Sequence, residues 1–218
     1  MATHSDVIAA VHAGEIDKIK EALQADPSLA SAKDERGVSA LMHAYYRGQR
    51  DIAQVILTSR ADLDIFEAAA SGRAQTVSEI LDRDGGQAKA WSADGFTALH
   101  FAAFFNQPTI ARELVRRGAD VAAVSMNPME VTPLHSAAAA HATEIVRMLV
   151  ESDAPVNAKQ HGGWTALHAA ADYGDEEMIK ILLQHGADPL TQNDDGKTPA
   201  QIAQLKGRDK ALQLLSVA

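Results

Sequence analysis

The sequence predicts an all-α solenoid of about seven stacked helix-turn-helix units with short hairpin fingers. The first observation is a phrase whose threonines Thr97, Thr132, Thr165 and Thr198 lie 35, 33 and 33 residues apart. The second is a glycine that follows the phrase and ends a short helix. The third is a further segment with apolar residues spaced i, i+3, i+4. A helix pair of this period cannot bury its own apolar face, so neighbouring pairs must stack.

Each helix pair has local signals for its start and its first stop. The Ser or Thr of the phrase suits an N-cap, where its hydroxyl accepts from free backbone amides of the first turn. Pro133 follows one such threonine at the first helical position, where a missing N–H is harmless. Gly48 and Gly174 suit the left-handed turn between the helices, and Asn106 and His141 replace glycine there in two units.

The N-terminal half contains the same pattern as a doubled block of two units. Gly14 and Gly72, and likewise Gly37 and Gly95, are 58 residues apart. A separation of 58 fits one full unit and one truncated unit without a finger. We place the seven units, numbered I to VII, near 4–32, 33–63, 64–90, 91–123, 124–157, 158–190 and 191–218. We expect 1–218 to form one domain whose first and last units are caps.

Composition excludes several classes of function. The net charge of −9 disfavours nucleic acid, which requires a basic surface, and also disfavours an anionic membrane. There is no cysteine, so disulfides and thiolate metal sites are absent. The first residues do not show the basic segment followed by an apolar run that a secretory signal has. No apolar run is long enough to cross a membrane. We therefore expect a cytoplasmic protein, and its polar terminal units favour a monomer.

No arrangement of residues predicts catalysis, a metal or a cofactor. His100, His135 and His168 occupy one position of successive units, about 10 Å apart, and cannot share a zinc ion. The pairing of Thr97 with His100 is explained by helix capping. The glycines at 85–86 and 162–163 lack the lysine of a phosphate-binding loop. We expect a protein that is not an enzyme.

The repeated phrases resemble the ankyrin-repeat family across nearly the whole chain. The resemblance rests on Gly-Phe-Thr-Ala-Leu-His at 95–100, Thr-Pro-Leu-His at 132–135, Gly-Trp-Thr-Ala-Leu-His at 163–168, and Gly-Ala-Asp at 118–120 and 186–188. It implies an L-shaped stack whose fingers and first helices form a concave surface for a protein partner. It also implies that the three histidines hydrogen-bond within and between units. The fingerless units are similar to those of stand-alone bacterial ankyrin proteins.

The scarce large apolar residues fall where this family faces its partners, at fingertips and just before the inter-helix glycine. Interface hot spots favour aromatic residues and arginine. The candidate partner-binding residues are Tyr46, Arg47, Trp91, Phe96, Phe104, Phe105, Met126, Met129, Trp164 and Tyr173. We expect a protein-binding adaptor or inhibitor whose contacts centre on units IV to VI. The alternatives are a secreted host-directed effector, or a small-ligand or enzymatic activity in a groove between fingers.

Overall fold

The computed structural model describes residues 2–60 and 62–216, and this part of the chain contains fourteen α-helices and no β-strand. They form seven consecutive pairs, as predicted. In order, the helices are α1 His4–Ala13, α2 Ile16–Ala25, α3 Ala40–Tyr46, α4 Arg50–Thr58, α5 Ile65–Ala70, α6 Ala74–Arg83, α7 Ala98–Phe104, α8 Pro108–Arg116, α9 Pro133–Ala139, α10 Thr143–Glu151, α11 Ala166–Tyr173, α12 Glu176–Gln184, α13 Pro199–Leu205 and α14 Asp209–Ser216.

The helices stack in two layers. The first helices pack in the order α1, α3, α5, α7, α9, α11, α13, and the second helices lie beside them. In the second layer, α4 and α6 pack less closely than the other neighbours. No helix in the described residues is long and apolar enough to cross a membrane. The predicted all-α solenoid of stacked helix pairs is confirmed.

Helix starts follow the predicted capping, with one difference. The hydroxyls of Ser39, Thr132 and Thr198 accept hydrogen bonds from the backbone N–H three residues later. The hydroxyls of Thr97, Thr132 and Thr165 also hydrogen-bond to the Nδ1 atom of the histidine three residues later, at 2.8, 2.9 and 2.9 Å. The histidine ring thus takes over part of the capping because it lies beside the N-cap.

The turns between paired helices are left-handed, as the sequence predicts. Gly48 has a φ of 67° and Gly174 a φ of 78°. Asn106 and His141 adopt φ values of 52° and 54° at the corresponding positions. Asparagine tolerates this conformation better than most residues, so we expect the cost to be greater at His141.

In the described part of the chain, five fingers project from the stack, and we number them by unit: finger II (33–39), IV (91–97), V (124–132), VI (158–165) and VII (191–198). Fingers IV to VII are joined in series by backbone hydrogen bonds. The bonds run from Met126 N to Gly95 O, from His161 N to Met129 O and from Asp194 N to Gly162 O, at 2.8 to 3.0 Å. These bonds fix the spacing of the four fingertips.

Unit III has no finger, in agreement with the 58-residue periodicity. The 3₁₀ helices Pro27–Ser31 and Gly85–Lys89, which the sequence analysis did not predict, end units I and III and are also 58 residues apart. At the start of unit III, Glu67 accepts from the Asp64 N–H and pairs with Arg60 at 2.7 Å. Glu67 occupies the position that a histidine has in units IV to VI.

The buried core divides near this point, within unit II. One cluster joins units I and II and includes Val11, Leu41 and Ile56, whereas a larger cluster runs from Val38 and Met42 of unit II to unit VII. The partly buried side chains of Tyr45 and Leu63 pack against both clusters. The boundary between the two clusters therefore lies within unit II, next to the unit that lacks a finger.

Candidate functional site

An apolar hollow of about 390 Å³ lies on the concave face between fingers IV, V and VI and helices α3, α7 and α9. We call it the aromatic hollow. Its lining residues are Tyr46, Asp94, Phe96, His100, Phe101, Phe104, Met129, Val131, His135, Ser136, Ala139 and Gln160. Its volume lies in the lower part of the range of ordinary ligand pockets.

Tyr46 reaches the hollow because unit III lacks a finger. Its hydroxyl, at the end of α3, donates a hydrogen bond to the Asp94 carboxylate at the tip of finger IV. Partial burial of the phenol, together with the adjacent carboxylate, raises the pKa of Tyr46, although 42% of the residue is exposed. The phenol therefore stays a donor, and the Tyr46 side chain closes one end of the hollow.

Aromatic rings form much of the wall of the aromatic hollow. Phe101 is buried at the base, and its ring centroid lies 5.6 Å from that of Phe96 and 6.4 Å from that of Tyr46. These separations are typical of tilted and edge-to-face aromatic pairs. The wall is consequently held by ring packing as well as by the helices.

The rim exposes large apolar side chains to solvent. Phe104 is 47% exposed and Met129 is 56% exposed. Tyr46, Phe104 and Ala139 occupy the same position of the repeat, two residues before the inter-helix turn in units II, IV and V. The repeat therefore places equivalent side chains in a row along the concave face.

His100 and His135 are among the polar residues of the wall, and both are neutral at neutral pH. Burial lowers the pKa of His100 to about 4 and also lowers that of His135. Nδ1 of His100 accepts from the Thr97 N–H at 3.2 Å, so Nε2 carries the proton and donates to Val131 O at 3.0 Å. His135 makes the corresponding bonds to Thr132 and Ala158, and His168 bonds in the same way to Thr165 and Lys197. The implied role of these histidines within and between units is confirmed.

Four of the ten candidate residues meet in the hollow, namely Tyr46, Phe96, Phe104 and Met129. Met126 projects from the same finger as Met129 and is 69% exposed, but it lies outside the hollow. Arg47 is also exposed and does not line the hollow. The sequence could not separate these two groups.

The remaining four candidates lie elsewhere. Half-buried Trp91 lines a narrow cleft between fingers II and IV. Phe105 packs on Tyr45, with ring centroids 5.2 Å apart, and lines a separate hollow of about 400 Å³ beside α4. Trp164 packs on His168, and exposed Tyr173 lies against the His141 ring at a centroid distance of 3.9 Å. Their role in partner binding stays a prediction.

The sequence analysis overlooked several residues of the hollow. Ala139 could have been found from the repeat register, since it aligns with Phe104. Asp94 could not, because nothing local distinguishes it from other fingertip carboxylates. Its importance depends on Tyr46, 48 residues earlier, approaching it in the folded chain.

The described residues contain no group of three or more His, Asp or Glu side chains placed to hold a metal ion. The histidines of the hollow are occupied by hydrogen bonds to Thr97, Val131, Thr132 and Ala158. The geometry suits apolar contact combined with one carboxylate at the rim.

Comparison with known proteins supports the repeat assignment. The family described as ankyrin repeats (3 copies) matches residues 65–160 and 155–217. The ankyrin repeat domain-containing protein SAT10 of Stachybotrys chartarum is 30% identical over 183 residues, 82% of this chain and 9% of that protein. The putative palmitoyltransferase ZDHHC13 of Danio rerio is 27% identical over an alignment of 224 residues, which covers 97% of this chain and 34% of that protein. Protein phosphatase 1 regulatory subunit 12A of Mus musculus is 43% identical over 72 residues, 33% of this chain and 7% of that protein.

The chain spans about a third or less of the length of these relatives. The family match covers units III to VII, and units I and II continue the same helix pairs towards the N-terminus. Family match, helix pairs, finger hydrogen bonds and the histidine network agree. The chain belongs to the ankyrin-repeat family.

Proposed function

We propose that this chain is a non-enzymatic adaptor or inhibitor that binds a protein partner through its concave face, centred on the aromatic hollow. Ankyrin repeats generally mediate protein–protein interaction. The observation that carries the proposal is the cluster of exposed apolar side chains, Tyr46, Phe104 and Met129, around one hollow. Exposed apolar patches of this kind usually mark contact sites.

The relatives support a binding role without naming a partner. One of them is named as a regulatory subunit of protein phosphatase 1, and its similarity covers 72 residues. Others carry the names of enzymes, but this chain matches only a part of each. We therefore assign binding to the repeats and no catalytic step to this chain.

Partner capture with matched variants tests the proposal. The wild-type chain and a Phe104→Asp variant are used as baits in extracts of the native cells, and bound proteins are identified by mass spectrometry. Leu205→Asp is the control, because Leu205 has the same repeat position in unit VII, is 67% exposed and lies outside the hollow. Circular dichroism establishes that each bait is folded.

We expect Phe104→Asp to lose a partner that wild-type and Leu205→Asp retain. A hot-spot residue contributes about 2 kcal/mol or more, which corresponds to roughly a thirtyfold weaker Kd. A partner that binds all three baits with equal affinity would place the contact surface elsewhere.

A small molecule is the second candidate occupant, because the volume of about 390 Å³ is sufficient for one. Native mass spectrometry of the purified chain distinguishes the two. A stoichiometric small ligand that Phe104→Asp releases would favour the second candidate over a protein partner.

A further inference from the structure

The rim of the aromatic hollow contains a carboxylate without a cationic partner. Asp94 accepts hydrogen bonds from the hydroxyls of Tyr46 and Ser92. Among the described residues, no Lys, Arg or His nitrogen lies within 4.0 Å of its oxygens. Each carboxylate oxygen accepts more than one hydrogen bond, so Asp94 retains acceptor capacity towards the hollow.

The described residues that line the hollow include no lysine or arginine to offset this charge. His100 and His135 line it, but burial lowers the pKa of both, so neither is charged at neutral pH. Glu130, beside Met129 in finger V, is exposed and also has no basic partner within 4.0 Å in the described residues. The net charge of −9 adds to this negative field.

The rest of the wall suits a cation on an aliphatic stem. The rings of Tyr46, Phe96 and Phe104 line the hollow around Asp94. Aromatic faces attract lysine and arginine cations within about 6 Å of the ring centroid. Their methylene stems bury well against apolar side chains such as Met129.

We propose that the hollow receives the side chain of a lysine or arginine of the protein partner. The charged end pairs with the Asp94 carboxylate, and the stem lies against the aromatic rings and Met129. A purely apolar occupant would cover Asp94 without supplying a counter-charge, which is unfavourable. An anionic occupant would be repelled. This inference rests on the proposed function, because it specifies which kind of partner residue enters the hollow.

Nuclear magnetic resonance titration with small probes tests the charge requirement. The probes are the Nα-acetyl, N-methylamide derivatives of lysine, of arginine and of norleucine, which resembles lysine without its ammonium group. The signals followed are the Met129 methyl group and the backbone amides of finger IV. We expect dissociation constants in the millimolar range for lysine or arginine, and at least about fivefold weaker binding for norleucine.

Variants separate the charge from the shape. Asp94→Asn retains an acceptor for Tyr46 and Ser92 and removes the charge, so we expect it to weaken binding of the cationic probes about tenfold. We expect norleucine binding to stay unchanged. Asp195→Asn is the matched control, because Asp195 has the same position in finger VII, outside the hollow, and its loss changes the net charge equally.

Three results would overturn the inference. They are equal binding of norleucine and lysine, equal effects of Asp94→Asn and Asp195→Asn, and no shift of the Met129 or finger IV signals by any probe. Each leaves the proposed function to be decided by the Phe104→Asp capture experiment, so the two failures are distinguishable. A stronger response to arginine than to lysine, or the reverse, supports the inference and identifies the preferred side chain.

Discussion

At the residue scale, three histidines connect capping, inter-unit bonding and acid sensitivity. In His100 the Nδ1 lone pair accepts from the Thr97 N–H, and protonation would place two donors against each other. Burial further disfavours the charged ring, which explains why its pKa falls to about 4. His135 and His168 have lowered pKa values for the same leading reason.

These lowered values predict a loss of stability in mild acid. The unfolded chain binds a proton at each histidine as the pH falls below about 6.5, whereas folded His100 resists protonation until about 4. The contribution of His100 to the free energy of unfolding is therefore constant well above pH 6.5, and it decreases as the pH falls from about 6.5 to about 4. We expect His100 to contribute a loss of about 2 kcal/mol between neutral pH and about pH 5.

The chain supplies a variant that tests this histidine. Gln201 occupies the same position in unit VII and accepts from the Thr198 N–H at 2.9 Å without titrating. His100→Gln should therefore retain the cap and reduce the pH dependence of urea unfolding. If the variant and the wild type lose stability in parallel, His100 does not carry this effect.

At the element scale, the fingers depend on close backbone approach. Gly95 has a φ of 83°, and an added Cβ would lie 2.9 Å from the Met126 carbonyl carbon. The same two residues share the hydrogen bond that joins fingers IV and V. A side chain at Gly95 would therefore separate these fingers and deform the aromatic hollow.

Two alanine substitutions at equivalent fingers distinguish collision from backbone strain. Gly196 in finger VII has a φ of 71°, and an added Cβ there meets nothing within 4 Å. We expect Gly196→Ala to cost about 1 kcal/mol, the cost of the left-handed conformation, and Gly95→Ala to cost more. Urea midpoints measure both, and amide exchange at Met126 should accelerate only in Gly95→Ala. Equal costs for the two variants would show that the contact with finger V is unimportant.

At the scale of the whole molecule, the described stack has a weak junction between units II and III. Unit III has no finger, α4 and α6 pack loosely, and a hollow of about 400 Å³ lies beside α4. Val38 and Met42 of unit II belong to the larger core cluster, and the partly buried Tyr45 and Leu63 pack against both clusters. In a solenoid, stability depends on contacts between nearest neighbours, so a weak junction lowers cooperativity there.

We therefore expect units I and II to open before the remainder of the chain. Native-state hydrogen exchange should give lower opening free energies for amides around Val11 and Ile56 than around Leu149. Moderate urea should lower the opening free energies of the amides around Val11 and Ile56 and of those around Leu149 by different amounts. Equal opening free energies throughout would instead support a fully cooperative single domain.

The repeated local signals determine the units of this protein. Capping residues, left-handed turn residues and the 58-residue periodicity act over a few residues, and they predict the seven helix pairs and the fingerless unit III. The same signals predict that equivalent positions lie in a row on one face. They do not predict which of the ten candidate residues meet, since Phe104 and Phe105 are adjacent in sequence but line different hollows.

The tertiary structure alone decided the composition of the hollow. The missing finger lets Tyr46 of unit II reach Asp94 of finger IV, and the finger hydrogen bonds bring Met129 to the opposite rim. Such contacts depend on the spacing and the inclination of neighbouring units. That geometry arises from packing between segments distant in sequence, so no short stretch of sequence contains it.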